Sequence, residues 1–270
     1  MKQRLLVAAV GVPLLIVVLV FLPPYATAFL AAAIAGAAAY ELLHTACRRP
    51  KPLYVPTILC AVLTVLAIGL QTALTATLIY AFLYVMLLFF LAVSSHGTEK
   101  AIPFADVAVC VVAGFLFPAM YACIALLRNM GAVYVLMPFV VAFIGDSFSM
   151  LGGMALGHKK FAPRVSPNKT WAGFLAGPVG SALGMVILGL VARAAWTMEL
   201  PLWYLALTGA VTNVFGQLGD LSMSLIKREA GIKDYSHIFL THGGVLDRFD
   251  STMFLSPVIY GMVLLMGVIV

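Results

Sequence analysis

The chain has 270 residues, 63% of them hydrophobic and only 10% charged, with a formal net charge of +6 and a mean hydropathy of +1.09. Soluble domains carry roughly 25% charged residues, so a water-soluble globular protein is excluded and an all-α integral membrane protein is predicted. Cys47, Cys60, Cys110 and Cys123 lie in or beside apolar runs without C-x-x-C spacing, so they read as buried small hydrophobes and support neither a disulfide framework nor a zinc site.

The opening MKQRLLVAAVGVPLLIVVLVFL has the look of a secretory leader. Its apolar run of about 18 residues is longer than such leaders carry, and PPY follows where a small-residue cleavage site belongs. It reads as a retained first span. Apolar runs then predict helices near 5–22, 25–47, 54–70, 72–95, 101–127, 131–157, 171–197, 201–224 and 250–270, about nine spans. Pro23-Pro24, Arg48-Arg49-Pro50, Gly97, Gly131 and Pro201 punctuate them. Two regions are expected: N-terminal transmembrane helices over 1–130 and a more polar, catalytic transmembrane region over 131–270.

With the N-terminus inside, fourteen of the sixteen Lys and Arg fall on cytoplasmic segments, and only Arg128 and Arg193 on the far side. Positive residues favour the cytoplasmic side, so the N-terminus is predicted inside and the C-terminus on the outer side. The basic face suits anionic headgroups or anionic soluble substrates rather than nucleic acid.

Five of the ten acidic residues, Asp220, Glu229, Asp234, Asp247 and Asp250, lie between 220 and 250. Asp146 and Asp220 fall within predicted spans, where an unpaired carboxylate costs at least about 2.5 kcal/mol. Partners are therefore expected. Asp220 and Ser224 share a helix face, which Lys227 and Arg228 continue. Asp247 and Asp250 share a face where the last helix begins. Two such pairs supply oxygen-only ligands, which favour Mg²⁺, with a second cation also allowed. His242-Gly243-Gly244 offers a loop whose backbone N–H groups can approach a phosphate. Glu41 and His44 are expected to pair locally with Arg48 and Arg49, and His237 reads as an interfacial polar residue.

The segment GHKKFAPRVSPNKT, Gly157 to Thr170, reads as a basic loop on the same face. Ser166, Lys169 and Thr170 form a hydroxyl-rich phosphate-binding candidate, and Lys159 and Lys160 read as anchors. Gly152 to Gly157 has the glycine spacing of a P-loop, but His158 and Lys159 stand where lysine and hydroxyl belong, which excludes one.

SLIKREAGIKDYSHIFLTHGGVLDRFD, Ser224 to Asp250, resembles the signature of the phosphatidate cytidylyltransferases (CDP-diacylglycerol synthases). Gly145-Asp146 and SPNKTWAG, Ser166 to Gly173, are also similar to that family. Leu240, Ala172, Met150 and Met154 depart from its pattern of proline, glutamate, tyrosine and arginine. The resemblance implies a nucleotidyltransferase of phospholipid biosynthesis that joins CTP and phosphatidate to give CDP-diacylglycerol and pyrophosphate. Asp220, Asp247, Lys227 and Arg228 are then the catalytic candidates, and Asp220, Asp247 and Asp250 the metal candidates. Ser166, Lys169, Thr170, Ser224, His242, Gly243, Gly244 and Arg248 are the substrate-binding candidates. Expected partners are CTP, phosphatidate and membrane lipid, with a homodimer left open. The expected location is the inner membrane, with the site facing the cytoplasm. A CTP-dependent polyprenol-type lipid kinase and an ion-coupled transporter are the rival readings.

Overall fold

The computed structural model describes residues 11, 13–48, 51–236, 238 and 243–269. Most of the expected first span lies outside the described residues; its described part ends in a π-helical turn, Val17–Phe21. Helix α1 runs Pro24–Ala46, with proline at its first position where the missing N–H costs nothing. α2 is Tyr54–Gly69, α3 Leu74–Ser95, and α4 Phe104–Met130 with a π turn at Val112–Leu116. α5 is Ala132–Leu156, α6 Trp171–Trp196, α7 Leu202–Glu229 and α8 Leu246–Ile269.

Among the described residues seven helices are long and apolar enough to cross a membrane. α7 is the long helix that is not one of them: its 28 residues include the polar Asn213, Gln217, Asp220 and Ser224. Lipid-facing surface is plain on α3, where Leu78, Ile79, Phe82, Leu83, Phe90 and Val93 are all exposed. The protein is an all-α, multi-pass membrane protein, with one local exception among the described residues.

That exception corrects the expectation of a plain loop after α5. Strands β1, Lys160–Ala162, and β2, Ser166–Thr170, pair antiparallel with an irregular register. Ala162-Pro163-Arg164-Val165 makes the turn, closed by Val165 N–H donating to the Ala162 carbonyl at 3.2 Å. Proline at the second turn position presets the required φ.

The described residues form two compact units. One comprises those up to Asn129 together with Glu229–Arg248; the other comprises Met130–Arg228 and those from Phe249 onward. In the first unit, α1 buries an alanine stripe (Ala28, Ala31, Ala32, Ala35, Ala38, Ala39), and Gly36 lies against Val62 and Ile58 of α2. Small residues let helices close up where no hydrophobic force between them is available in lipid.

The second unit uses glycine for the same end. Gly173, Gly177, Gly180 and Gly184 line one face of α6, and a Cβ at each would strike a neighbouring side chain or backbone. A polar ladder crosses this unit. Ser181 Oγ donates to the Val141 carbonyl at 3.0 Å, Asn213 Nδ2 to Ser181 Oγ at 2.9 Å, and Gln217 Nε2 to Asn213 Oδ1 at 2.7 Å. Polar groups at membrane depth must be paired inside the protein, and this ladder does so down the α7 face that continues to Asp220.

Candidate active site

The second unit holds a cavity of about 450 Å³. β2 delivers Asn168, Lys169 and Thr170 to it, and β1 delivers Lys160 and Phe161. α5 contributes Asp146 and Ser149, α7 contributes Gln217 and Asp220, and α6 contributes its first turn through Gly173 and Phe174. Thr170 caps α6 by accepting the Gly173 N–H at 3.2 Å, as a residue in extended conformation before a helix does. The start of a 26-residue helix thus borders the cavity, and such a terminus favours negative charge.

The cavity is therefore two-signed. Lys169 Nζ forms an ion pair with Asp220 Oδ2 at 2.5 Å, both side chains being partly exposed. Ser224 Oγ donates to Asp220 Oδ1 at 3.4 Å, as their four-residue spacing predicts. Asp146 and Asp250 both lie within electrostatic range of Asp220, and Lys227 within range of Asp250. Asp250 is buried and accepts the Ser251 N–H at 2.7 Å. Arg228 Nε donates to the Val165 carbonyl at 3.3 Å, holding the arginine against the hairpin turn. Ser166 opens β2 but is not part of the cavity wall.

Gly145 has an internal reason. A Cβ there would run into the Asn213 amide and the Ser181 hydroxyl, so glycine before Asp146 lets the polar ladder pass.

The remaining candidates sit in the first unit. Asp247 Oδ2 accepts the Tyr235 N–H at 2.8 Å and the Gly244 N–H at 2.9 Å. Glu41 Oε1 accepts the Val245 N–H at 2.9 Å, and Oε2 the Leu246 N–H at 2.8 Å. This changes the reading of the glycine pair. The Gly244 amide is engaged by Asp247, and a Cβ on Gly244 would fall on the Glu41 carboxylate. Gly243 has φ +82°, a left-handed backbone that favours glycine. The pair admits the close approach of two protein carboxylates, Asp247 at Gly243 and Glu41 at Gly244. Arg248 is exposed, and His242 lies outside the described residues.

Four residues go beyond what the sequence suggested. Glu41, 1% exposed, reaches the start of α8, and the Arg48 amide donates to Asp106 at 3.1 Å; Arg49 lies outside the described residues. Lys160, expected as an anchor, faces the cavity because β1 pairs it with Thr170. Gln217 and Ser149 were not singled out at all. The spacing Asn213, Gln217, Asp220, Ser224 was the available signal for the first of these.

Among the described residues no group of three or more His, Cys, Asp or Glu is close enough to hold a metal ion. The donor set around Asp220 is nonetheless oxygen-only, and Mg²⁺ is usually held by one or two carboxylates with substrate phosphates completing its shell. Asp220 and Asp146, both open to the cavity, fit that pattern.

The profile of the Cytidylyltransferase family matches residues 2–266. The chain is also similar to proteins named phosphatidate cytidylyltransferase. It is 36% identical over 166 residues to that of Staphylococcus haemolyticus, covering 60% of this chain and 61% of the relative. It is 41% identical over 137 residues to that of Bacillus subtilis, covering 50% and 49%. It is 35% identical over 168 residues to that of Staphylococcus aureus, covering 60% and 61%. The matched chain thus spans between 49% and 61% of these relatives' own length.

Proposed function

The chain belongs to the cytidylyltransferase family, and we propose that it is a phosphatidate cytidylyltransferase, converting CTP and phosphatidate to CDP-diacylglycerol and pyrophosphate. One observation carries this reading: a single cavity holds a partly exposed Lys169–Asp220 ion pair, a second lysine and a helix start. Such a cavity suits two phosphorylated substrates and a hard cation. The names of the similar proteins support the same assignment.

In the proposed reaction an oxygen of the lipid phosphate attacks the α-phosphorus of CTP. The bond to the β-phosphate bridging oxygen breaks, and pyrophosphate leaves with the electron pair. A phosphate monoester is already ionised, so the chain need not supply a strong base. Its work is to hold two anions in line and neutralise charge on the leaving group. Lys169 leaves Asp220 for an arriving phosphate and acts as a point charge. Lys160 and the α6 N-terminus, which border the same cavity, hold the same anion. Lys227 and Arg228, the latter pinned to the hairpin turn, are the candidates for the remaining phosphates, with Ser224 and Arg248.

Mg²⁺ is proposed as the cofactor, and when bound it neutralises phosphate oxygens and polarises the reacting phosphorus. Asp220 would hold it, with Asp146 or Asp250 nearby; Asp247 remains proposed as a metal carboxylate. The full set of about nine spans, with α7 as one of them, an N-terminus inside, and a site facing the cytoplasm of the inner membrane complete the proposal, supported by the asymmetry of Lys and Arg.

The test is direct. Purified protein in defined lipid is incubated with labelled CTP, phosphatidate and Mg²⁺. A labelled CDP-lipid with one pyrophosphate per turnover is expected. Release of CDP with a phosphorylated lipid alcohol would instead identify a lipid kinase.

A further inference from the structure

Helix α8 is held at its start by a side chain from far away in the sequence. The first N–H groups of any helix lack partners within it. Here two are taken by a residue 204 positions earlier in the chain: Glu41 of α1 accepts from Val245 and Leu246, one amide on each carboxylate oxygen. Ser236 Oγ adds a third bond, to Glu41 Oε1 at 2.5 Å. Asp247 then accepts from Gly244 and Tyr235. Four backbone amides and a hydroxyl therefore converge on two carboxylates, all within the first unit. Gly244 is the residue that admits Glu41 this close.

We infer that Glu41 is a positioning residue for the transfer reaction. It clamps the first turn of α8 and so fixes the aim of Asp247 and Arg248. This rests on the function proposed above, but the clamp itself does not. A carboxylate offers two acceptors to two donors. Glutamine keeps the volume but turns one acceptor into a donor that faces an N–H, and a buried N–H left unpaired opens the turn. Glutamate at this site thus has a role that size and burial alone do not supply.

The experiment uses the full chain in defined lipid, with two readouts. The first is hydrogen exchange at the amides of Gly244–Asp247, which reports local opening. The second is kcat and KM for CTP, per folded molecule, across a Mg²⁺ titration. Glu41→Gln is expected to speed exchange at these amides while the rest of α1 stays protected. It should lower kcat at least about tenfold, equivalent to about 1.4 kcal/mol, with KM for CTP little changed. Ser236→Ala, which spares both amide bonds, should show the same pattern at about threefold, and it keeps the test usable if Glu41→Gln does not fold. Unchanged exchange in both variants overturns the clamp. Faster exchange with normal kcat per folded molecule overturns the positioning role. A wild-type protein that makes no CDP-lipid overturns the proposed activity, and the positioning role with it, while exchange still decides the clamp.

Discussion

The two units hold carboxylates in contrasting ways, apart from Asp250 of the second, which accepts the Ser251 N–H. In the first, Glu41, Asp106 and Asp247 each accept backbone N–H groups, and Glu41 and Asp106 are each 1% exposed. In the second, Asp220 and Asp146 open onto a cavity, and Asp220 meets two side chains, a lysine on a short strand and Ser224. A carboxylate held by amides cannot change partner without unmaking backbone structure. One held by a flexible lysine can, because the ammonium is a mobile point charge that any phosphate can claim. Bonding partner, more than burial or sequence position, separates the acids tied to the backbone from the acids open to the cavity.

Breaking the comparison starts with the largest expected effect. Asp220→Asn should cut turnover at least about a hundredfold, near 2.7 kcal/mol of barrier, with little loss of folded protein. A labelled-CTP assay at several Mg²⁺ concentrations checks it, and near-normal turnover would remove Asp220 from the reacting acids. Asp247→Asn is the sharper challenge, since that acid is held by amides yet proposed to bind metal. A loss as large as that of Asp220→Asn is expected. Normal turnover with faster unfolding would place it wholly among the acids tied to the backbone.

Lysine substitutions test the other side of the ion pair. Lys169→Ala should lower kcat/KM at least about tenfold, and Lys160→Ala by a smaller factor. Lys159→Ala should leave activity unchanged, when all three are compared at fixed lipid surface charge, because anionic lipid attracts any basic segment. Equal losses in all three would make the hairpin a general electrostatic patch. The smallest effect on chemistry is expected at Asp106→Ala. Losing the part-buried bond from the Arg48 N–H costs about 0.5–1.5 kcal/mol, visible as a lower midpoint of thermal unfolding, while turnover per folded molecule stays near wild type.

Much of the architecture was legible because lipid imposes it. Apolar runs located α1 to α6 and α8 within a few residues, and Asp220 and Ser224 meet as four-residue spacing requires. The signature from Ser224 to Asp250 identified the family that the profile match then showed. What stayed hidden is non-local. Nothing in a helical period announces that Glu41 meets Val245, 204 positions later. The hairpin was hidden for another reason: three paired residues between Leu156 and Trp171 are too short for alternation to stand out, and Pro163 reads as loop until its turn is seen. Lys160 was misread with it, because facing follows from strand pairing, which charge alone does not reveal.

The π turn in α4 has its own meaning for the chain's length. Over Val112–Leu116 the helix widens, and a wider turn accommodates a residue more than an α-helical one. Its neighbours are fitted to it: Tyr84 donates to the Cys110 carbonyl at 2.8 Å and Thr64 to the Gly114 carbonyl at 3.3 Å. Farther along, Arg128 donates to the Val20 and Leu22 carbonyls. The angular phase between Asp106 at one end of α4 and Arg128 at the other is therefore set with a surplus residue absorbed between them. A one-residue deletion inside Val112–Leu116 would relax the wide turn and leave both ends facing as they do. The same deletion elsewhere in α4 would turn one end by about 100° and swing its polar residue toward lipid.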